Sequence, residues 1–267
     1  MSIERISREE LDSLVSKVQE SREKNAKGGR IALISDIHSN YWALKAVLED
    51  ISQSGVEEIF CAGDVVGYGP RPNECCYLLK ALQIPTVMGN HDYSVTFPGK
   101  SEFEFNSEAE LVNIWTRHVL DKSLQEWLSF PPFEYRNDGL YIVHGSPRDN
   151  LGEYVSKEKS EGIFGKFFES EEGKDLELAV HGHTHLPYIK EIGDRIVVNP
   201  GSVGQPRDGN PAAPYILINQ EVTQGANPET KRVIELKRVE YDIEKTAGEV
   251  RELLLPEKLA SRLFIGG

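Results

Sequence analysis

Ile84-Pro85-Thr86-Val87-Met88-Gly89-Asn90-His91-Asp92 is the stretch from which the rest of the chain is best read. An apolar run ends in a glycine, and an amide, an imidazole and a carboxylate follow side by side. Short apolar runs bounded by Gly, Asn and Asp read as buried strands, so 84–88 is predicted to be a strand with polar side chains at its carboxyl end. Four other runs finish in a similar way. Ile31–Ile34 leads into Asp36 and His38, Glu58–Cys61 into Asp64, Leu140–Val143 into His144, and Leu178-Ala179-Val180 into His181-Gly182-His183-Thr184-His185. Chemistry in open α/β sheets collects outside the carboxyl ends of the strands. The five runs therefore predict one site approached from five directions.

Outward from that stretch, the first half alternates strand and helix. Residues 41–53 place Trp42, Leu44, Val47, Leu48 and Ile51 at helical spacing, and Gly55 ends the helix. Residues 63–70 form a glycine-rich loop, and Pro72 opens a helix that runs to about residue 82. A β-α-β-α-β order implies a parallel sheet with helical crossovers. Residues 93–130 lack β alternation; 106–120 and 123–128 read as helices, stopped by Pro131-Pro132. From residue 133 the chain turns strand-rich. Asn137-Asp138-Gly139 and Gly193-Asp194 mark hairpins, 215–219 and 233–239 add strands, and a helix near 243–254 closes the chain. The polar stretch 145–175, with one helix, reads as a flap. The predicted fold is α/β, an α+β sandwich: two packed mixed β-sheets flanked by helices, with a metal site at the carboxyl ends of the strands.

Residues 1–28 are predicted to be a helical extension ahead of one domain spanning 29–267. Ser7-Arg8-Glu9-Glu10 fits a capping box, with Ser7 as the cap and Glu10 reaching back. Leu11, Leu14, Val15 and Val18 follow at helical spacing, and Lys27-Gly28-Gly29 ends the segment. That apolar stripe must pack on its own domain or form a homodimer contact.

The formal net charge of −13 argues against general nucleic-acid or anionic-membrane binding. No stretch approaches the roughly 20 apolar residues that a membrane span needs, and the N-terminus lacks a signal-peptide core, so the expectation is a cytoplasmic protein. An acidic protein can still handle a phosphate ester where metal ions supply positive charge. The three cysteines, Cys61, Cys75 and Cys76, lack C-x-x-C spacing and read as reduced, packed thiols.

The candidate ligands are Asp36, His38, Asp64, Asn90, His144, His183 and His185. Two-metal hydrolysis needs oxygen and nitrogen ligands of this kind and a carboxylate able to bridge. If the segments are strand-like, alternate residues share a face, so Asp36 with His38, and His183 with His185, would each send two side chains to one site. Six of the seven histidines fall at predicted strand ends, which makes a chance arrangement of structural histidines a poor account. His118 lies in a helical stretch and reads as ordinary.

Asp36-Ile37-His38, Gly63-Asp64, Gly89-Asn90-His91-Asp92, Val143-His144-Gly145 and Gly182-His183-Thr184-His185 occur in the order found in the calcineurin-like metallophosphoesterase superfamily. The chain resembles that superfamily over about residues 30–220. The loop 63–70 and Asn199-Pro200-Gly201-Ser202-Val203-Gly204-Gln205-Pro206-Arg207 are similar to its prokaryotic branch of small phosphoesterases. The resemblance implies a β-sandwich and two divalent metal ions per chain; His and carboxylate ligands suit Mn, Fe, Zn, Ni or Co, and Mn or Fe is the expectation. It implies Asp36, His38 and His185 on the first ion, Asn90, His144 and His183 on the second, and Asp64 between them.

On this reading, two ions about 3.5–4 Å apart clamp the phosphoryl oxygens and activate a hydroxide that attacks phosphorus. His91 is placed as the acid for the leaving group or as a stabiliser of its charge, with Asp92 orienting its other nitrogen; the resemblance gives His91 the same role. His181 falls outside the matched ligand positions and reads as a support behind the ligands or as purely structural. Asn199 either buttresses a ligand or caps its own turn, and Arg71, Arg148 and Arg207 are each candidates for substrate phosphate.

The expected function is a phosphodiesterase or phosphatase acting on a small molecule or nucleotide. The alternative is a non-catalytic metal-binding scaffold, and the presence of His91 beside the full ligand set favours the enzyme. Protein phosphatases are disfavoured because no Asp-Arg-Gly follows Asp64 and residue 92 is Asp. Dinucleoside-polyphosphate phosphatases are disfavoured less firmly on the same arginine.

Overall fold

The chain enters its fold through helix α1 (Arg8–Lys24), which starts where Ser7 Oγ accepts the Glu10 amide at 3.1 Å. The capping box is only half formed. The Glu10 carboxylate accepts from the Tyr41 hydroxyl at 3.0 Å instead of reaching back. In this computed structural model, residues 3–25, 29–100, 105–222 and 230–267 are described; the expected stop at Lys27-Gly28 lies outside them. Leu11, Leu14, Val15 and Val18 are buried in the same core as the helices that follow.

Strands β1 (Ile31–Ile34) and β2 (Glu58–Cys61) pair in parallel, joined by helix α2 (Tyr41–Gln53). Successive side chains of a strand face opposite ways. Leu33 thus enters the core between the two sheets, while Ala32 and Ile34 pack beneath the helices. Burial on both faces explains why β1 is apolar throughout.

Helix α3 (Pro72–Ala81) leads to the run 84–88, where structure and expectation part. This run forms one parallel bridge, Thr86 to Cys61, and no strand. Pro85 has no amide hydrogen to give to a ladder; its carbonyl accepts from Cys61 at 2.9 Å, Val87 donates to the Cys61 carbonyl at 3.1 Å, and Met88 turns away to Pro132. Helix α4 (Asn90–Thr96) begins directly afterwards.

Helices α5 (Ser107–Val119) and α6 (Lys122–Leu128) precede the hairpin β3 (Glu134–Asn137) and β4 (Leu140–Val143). Its turn residues Asp138 and Gly139 have φ of 43° and 79°, the left-handed pair that a two-residue hairpin turn demands. Then come α7 (Lys157–Phe168), β5 (Leu178–His181), the hairpin β6 (Tyr188–Ile192) and β7 (Arg195–Asn199), and the long pair β8 (Ala213–Val222) and β9 (Thr230–Val239). Helices α8 (Ile243–Glu252) and α9 (Glu257–Ser261) close the chain, the latter not anticipated.

Two mixed sheets result, in strand orders β2-β1-β8-β9 and β3-β4-β5-β7-β6. Leu33, Phe60, Ile142, Val180, Val198 and Ile216 fill the core between them. The α1–α3 layer covers the first sheet and α7 packs on the second. The carboxyl ends of the parallel pairs β1/β2 and β4/β5 meet at one edge of the sandwich, where the His183 amide of one sheet donates to Asp36 of the other at 3.1 Å. Among the described residues, no helix is long and apolar enough to cross a membrane.

Candidate metal centre

The strands stop short of the ligands. β1 ends at Ile34 and β5 at His181, and the residues beyond them turn left-handed: φ is 52° at Asp36, 49° at His38, 53° at Asp64, 67° at His183 and 61° at His185. Side-chain alternation on a strand is therefore not what brings these pairs together. Tight loops do so, held by Asp36 N to Gly63 O at 2.9 Å, His38 N to Asp64 O at 3.0 Å and Gly182 N to His144 O at 2.9 Å. Left-handed non-glycine residues cost of order 1–3 kcal/mol each and gather at sites of function. Gly89 lies so close to Asp64 that a Cβ there would overlap the Asp64 carboxylate and amide.

All seven predicted ligands are brought together, and all are buried. The Asp64 carboxylate lies between two groups. On one side are His38 Nε2, 3.7 Å from Asp64 Oδ2, His185 Nε2, 2.9 Å from His38 Nε2, and Asp36 Oδ1, 3.3 Å from His185 Nε2. On the other are His144 Nε2, 3.3 Å from Asp64 Oδ2, with Asn90 Oδ1 at 3.0 Å and His183 Nδ1 at 3.2 Å from that nitrogen.

Backbone carbonyls fix the outer nitrogens of the rings. His38 Nδ1 bonds Val66 O at 3.1 Å, His185 Nδ1 bonds Gln205 O at 2.7 Å and His144 Nδ1 bonds Ala62 O at 2.8 Å; His183 is reversed, with Nε2 on Gly152 O at 3.3 Å. A carbonyl only accepts, so each outer nitrogen carries the proton and a neutral ring turns its lone pair inward. Burial holds His38 and His185 below the ordinary histidine range, helped at His38 by His185 and at His185 by Arg207. His183 is pushed down to about 3 by burial and His144. Two bare nitrogens 2.9 Å apart repel unless a cation lies between them. The donor set therefore fits divalent metal.

His144 behaves differently. Burial works against its charge, yet Asp64 overcomes it and raises His144 to about 9. Burial likewise opposes Asp64 ionisation, but His144 and His91 hold it well below the usual carboxylate range.

His91 stands above Asp64, its amide donating to Asp64 Oδ1 at 2.9 Å. Its Nδ1 meets Asn113 Oδ1 at 2.9 Å, not Asp92. The expected orienting role of Asp92 is corrected: its carboxylate caps the turn beneath, accepting from Val66 N and Gly89 N at 3.1 Å each. The one-residue spacing on a helix points the two side chains apart. Burial and the Asp64 charge raise Asp92 to about 7, and burial lowers His91. Asn113 was missed by the sequence reading. A signal existed, because it interrupts the buried stripe Ala109, Val112, Thr116 of α5 with a polar group.

The remaining candidates separate cleanly. His181 bonds the Tyr188 hydroxyl at 2.5 Å behind the site and is structural. Asn199 does both things considered for it: it caps its own turn through Gly201 N at 2.8 Å, and it braces the ligand loop through Gly182 O at 2.8 Å and Thr184 Oγ1 at 3.0 Å. Arg71 is buried in an ion pair with Glu249, Arg148 is paired with Glu153, and only Arg207 among the three adjoins the centre, its amide donating to His185 O at 3.4 Å. His118 bonds within its own helix, and the three cysteines are free and buried.

Comparison with known proteins agrees with this geometry. Residues 30–221 match the model of the calcineurin-like phosphoesterase superfamily domain. The uncharacterized protein MJ0912 of Methanocaldococcus jannaschii is 36% identical over 257 residues, covering 88% of this chain and 98% of that protein. Phosphodiesterase YfcE of Escherichia coli strain K12 is 26% identical over 203 residues, covering 72% and 89%. The crystal structure of a metallophosphoesterase from Sphaerobacter thermophilus superposes with a TM-score of 0.74 at 34% identity, covering 90% of this chain and 100% of that one.

Proposed function

The chain belongs to the calcineurin-like phosphoesterase superfamily and is a phosphoric ester hydrolase, and from that premise we propose a two-metal phosphodiesterase or phosphatase acting on a small molecule or nucleotide. The carrying observation is the position of the Asp64 carboxylate, 3.7 Å from His38 Nε2 on one side and 3.3 Å from His144 Nε2 on the other. Asp36, His38 and His185 would hold one ion, Asn90, His144 and His183 the other, and Asp64 both. Bound there, divalent cations, Mn or Fe by preference, supply Lewis acidity to the phosphoryl oxygens and lower the pKa of water.

The chain's own residues do the rest. Asn113 keeps the proton on Nδ1 of His91, so Nε2 is the atom that exchanges a proton with the leaving group. Burial favours the neutral ring, and the charge of a bound phosphate ester offsets that. The carbonyls of Val66, Ala62 and Gln205 hold the ligand rings in the metal-binding tautomer. A scaffold needs the ligands alone; a buried, oriented His91 supports the enzyme.

The test is metal content of the purified protein together with hydrolysis of bis(p-nitrophenyl) phosphate and p-nitrophenyl phosphate, with and without Mn²⁺. About two metals per chain with Mn-stimulated turnover is the expected result. Diester preference marks a phosphodiesterase and monoester preference a phosphatase. No metal under saturating conditions overturns the reading, and metal without turnover of any ester favours the scaffold.

A further inference from the structure

Arg207 is held beside the metal centre, and among the described residues it has no acidic partner. Its Nη2 donates to Gln205 Oε1 at 3.0 Å and meets the Tyr68 hydroxyl at 3.5 Å, and its Nε is buried with no partner. Both supports belong to the site. Gln205 accepts from His185 through its carbonyl, and the Tyr68 ring lies 4.7 Å from His38 and 4.5 Å from His91. The following residue, Asp208, is committed to Arg238.

A second guanidinium comes from the end of the chain. Arg262 follows α9, and its Nε donates to Gly267 O at 2.6 Å. Gly209 N donates to Gly266 O at 2.9 Å, which ties the Arg207 loop to this terminal turn. Leu259 and Leu263, on either side of Arg262, line a small cavity with His38, Tyr68 and Gln205. Burial and the charge of Arg207 lower Arg262. Glu108, the carboxylate that acts on it, is itself 3.8 Å from Lys258. Among the described residues, no ion pair includes Arg207 or Arg262.

Neighbouring like charges repel, and a partly buried guanidinium normally takes a carboxylate. The chain has a formal charge of −13, yet among the described residues no carboxylate side chain is paired with either group. We propose that Arg207 and Arg262 form a second anion subsite beside the metal centre, which takes a phosphoryl group of the substrate other than the one hydrolysed. Substrates carrying two phosphates in sequence are therefore preferred over simple esters. Naming the anion as phosphate rests on the phosphoesterase reading; the basic pair itself does not. Arg262 also lies outside the matched family domain, residues 30–221, so the subsite is supplied in part by a segment beyond that domain.

The experiment is calorimetric titration of inorganic pyrophosphate and inorganic phosphate into metal-free and Mn²⁺-loaded protein. Wild type should bind pyrophosphate more tightly than phosphate. Arg207→Gln and Arg262→Gln should each weaken pyrophosphate about 10-fold or more, the loss of a charge-assisted bond, while phosphate on the loaded protein changes less than about 3-fold. Arg207→Lys should recover part of the loss, and Arg136→Gln, on distant β3, should change nothing. Variants that bind pyrophosphate as wild type does, or lose both anions equally, overturn the subsite. If the phosphoesterase reading fails instead, metal and turnover are absent while arginine-dependent pyrophosphate binding persists in metal-free protein.

Discussion

Nδ1 of His91 and Oδ1 of Asn113 lie 2.9 Å apart, both residues buried, and this bond engages Nδ1 and leaves Nε2 as the other nitrogen of His91. Asn113→Ala should leave metal content unchanged and lower kcat about 10- to 100-fold, the usual cost of losing an orienting partner and less than that of losing the acid itself, most for poor leaving groups. Asn113→Asp puts a negative charge beside Nδ1 and favours the protonated ring. Its alkaline limb in the pH–rate profile should move up. Profiles with p-nitrophenyl and alkyl esters check this; an unmoved limb would assign Asn113 to packing alone.

The centre should collapse without Asp64. Its carboxylate faces His38 and His144 and also accepts the His91 amide. Asp64→Ala should lower metal content below one ion per chain and abolish turnover, whereas His91→Ala should keep the metal and slow turnover. Elemental analysis beside ester hydrolysis separates the two. Full metal content and activity in Asp64→Ala would remove the bridging assignment.

Metal binding should release a proton. Asp64 raises His144 to about 9 against the cost of burial, so the metal-free protein carries that proton at pH 7. Its Nε2 must be bare to hold a metal. Apparent metal affinity should therefore rise with pH to about 9 and level off beyond it. Titrations in buffers of differing ionisation enthalpy count the protons released; affinity flat from pH 7 to 9 contradicts the assignment.

The site was more legible in the sequence than the route to it. Short motifs ending apolar runs picked out seven candidate ligands that the fold brings together, because ligand chemistry restricts the residue types. The local geometry was not legible. Run 84–88 has the composition of a strand, but Pro85 gives no donor and a helix starts at Asn90. Asp36 and His38 reach the centre through left-handed turns, which residue type does not announce. Asn113 and Arg262 come from distant helical segments, and only tertiary packing brings them in.

Arg71 marks the limit of reading function from a charge in a loop. Its guanidinium is 2% exposed, bonds Glu249 at 2.7 and 2.9 Å and Glu74 at 3.0 Å, and so ties the loop before α3 to α8. Glu249 also accepts the Trp42 indole at 3.0 Å. Removing Glu249 leaves the buried guanidinium with Glu74 as its one carboxylate, at a cost of up to about 3–5 kcal/mol. Glu249→Ala should thus lower Tm by up to roughly 20 °C, given about 2–4 °C per kcal/mol at this size. The double variant Arg71→Met, Glu249→Leu should recover much of the loss, because apolar packing replaces a charge that no longer needs a partner. Turnover well below Tm should stay near wild type in both, since neither side chain belongs to the metal centre. Thermal unfolding of the single and double variants measures the coupling. A single variant as stable as wild type would show that water reaches the guanidinium and that the pair contributes little.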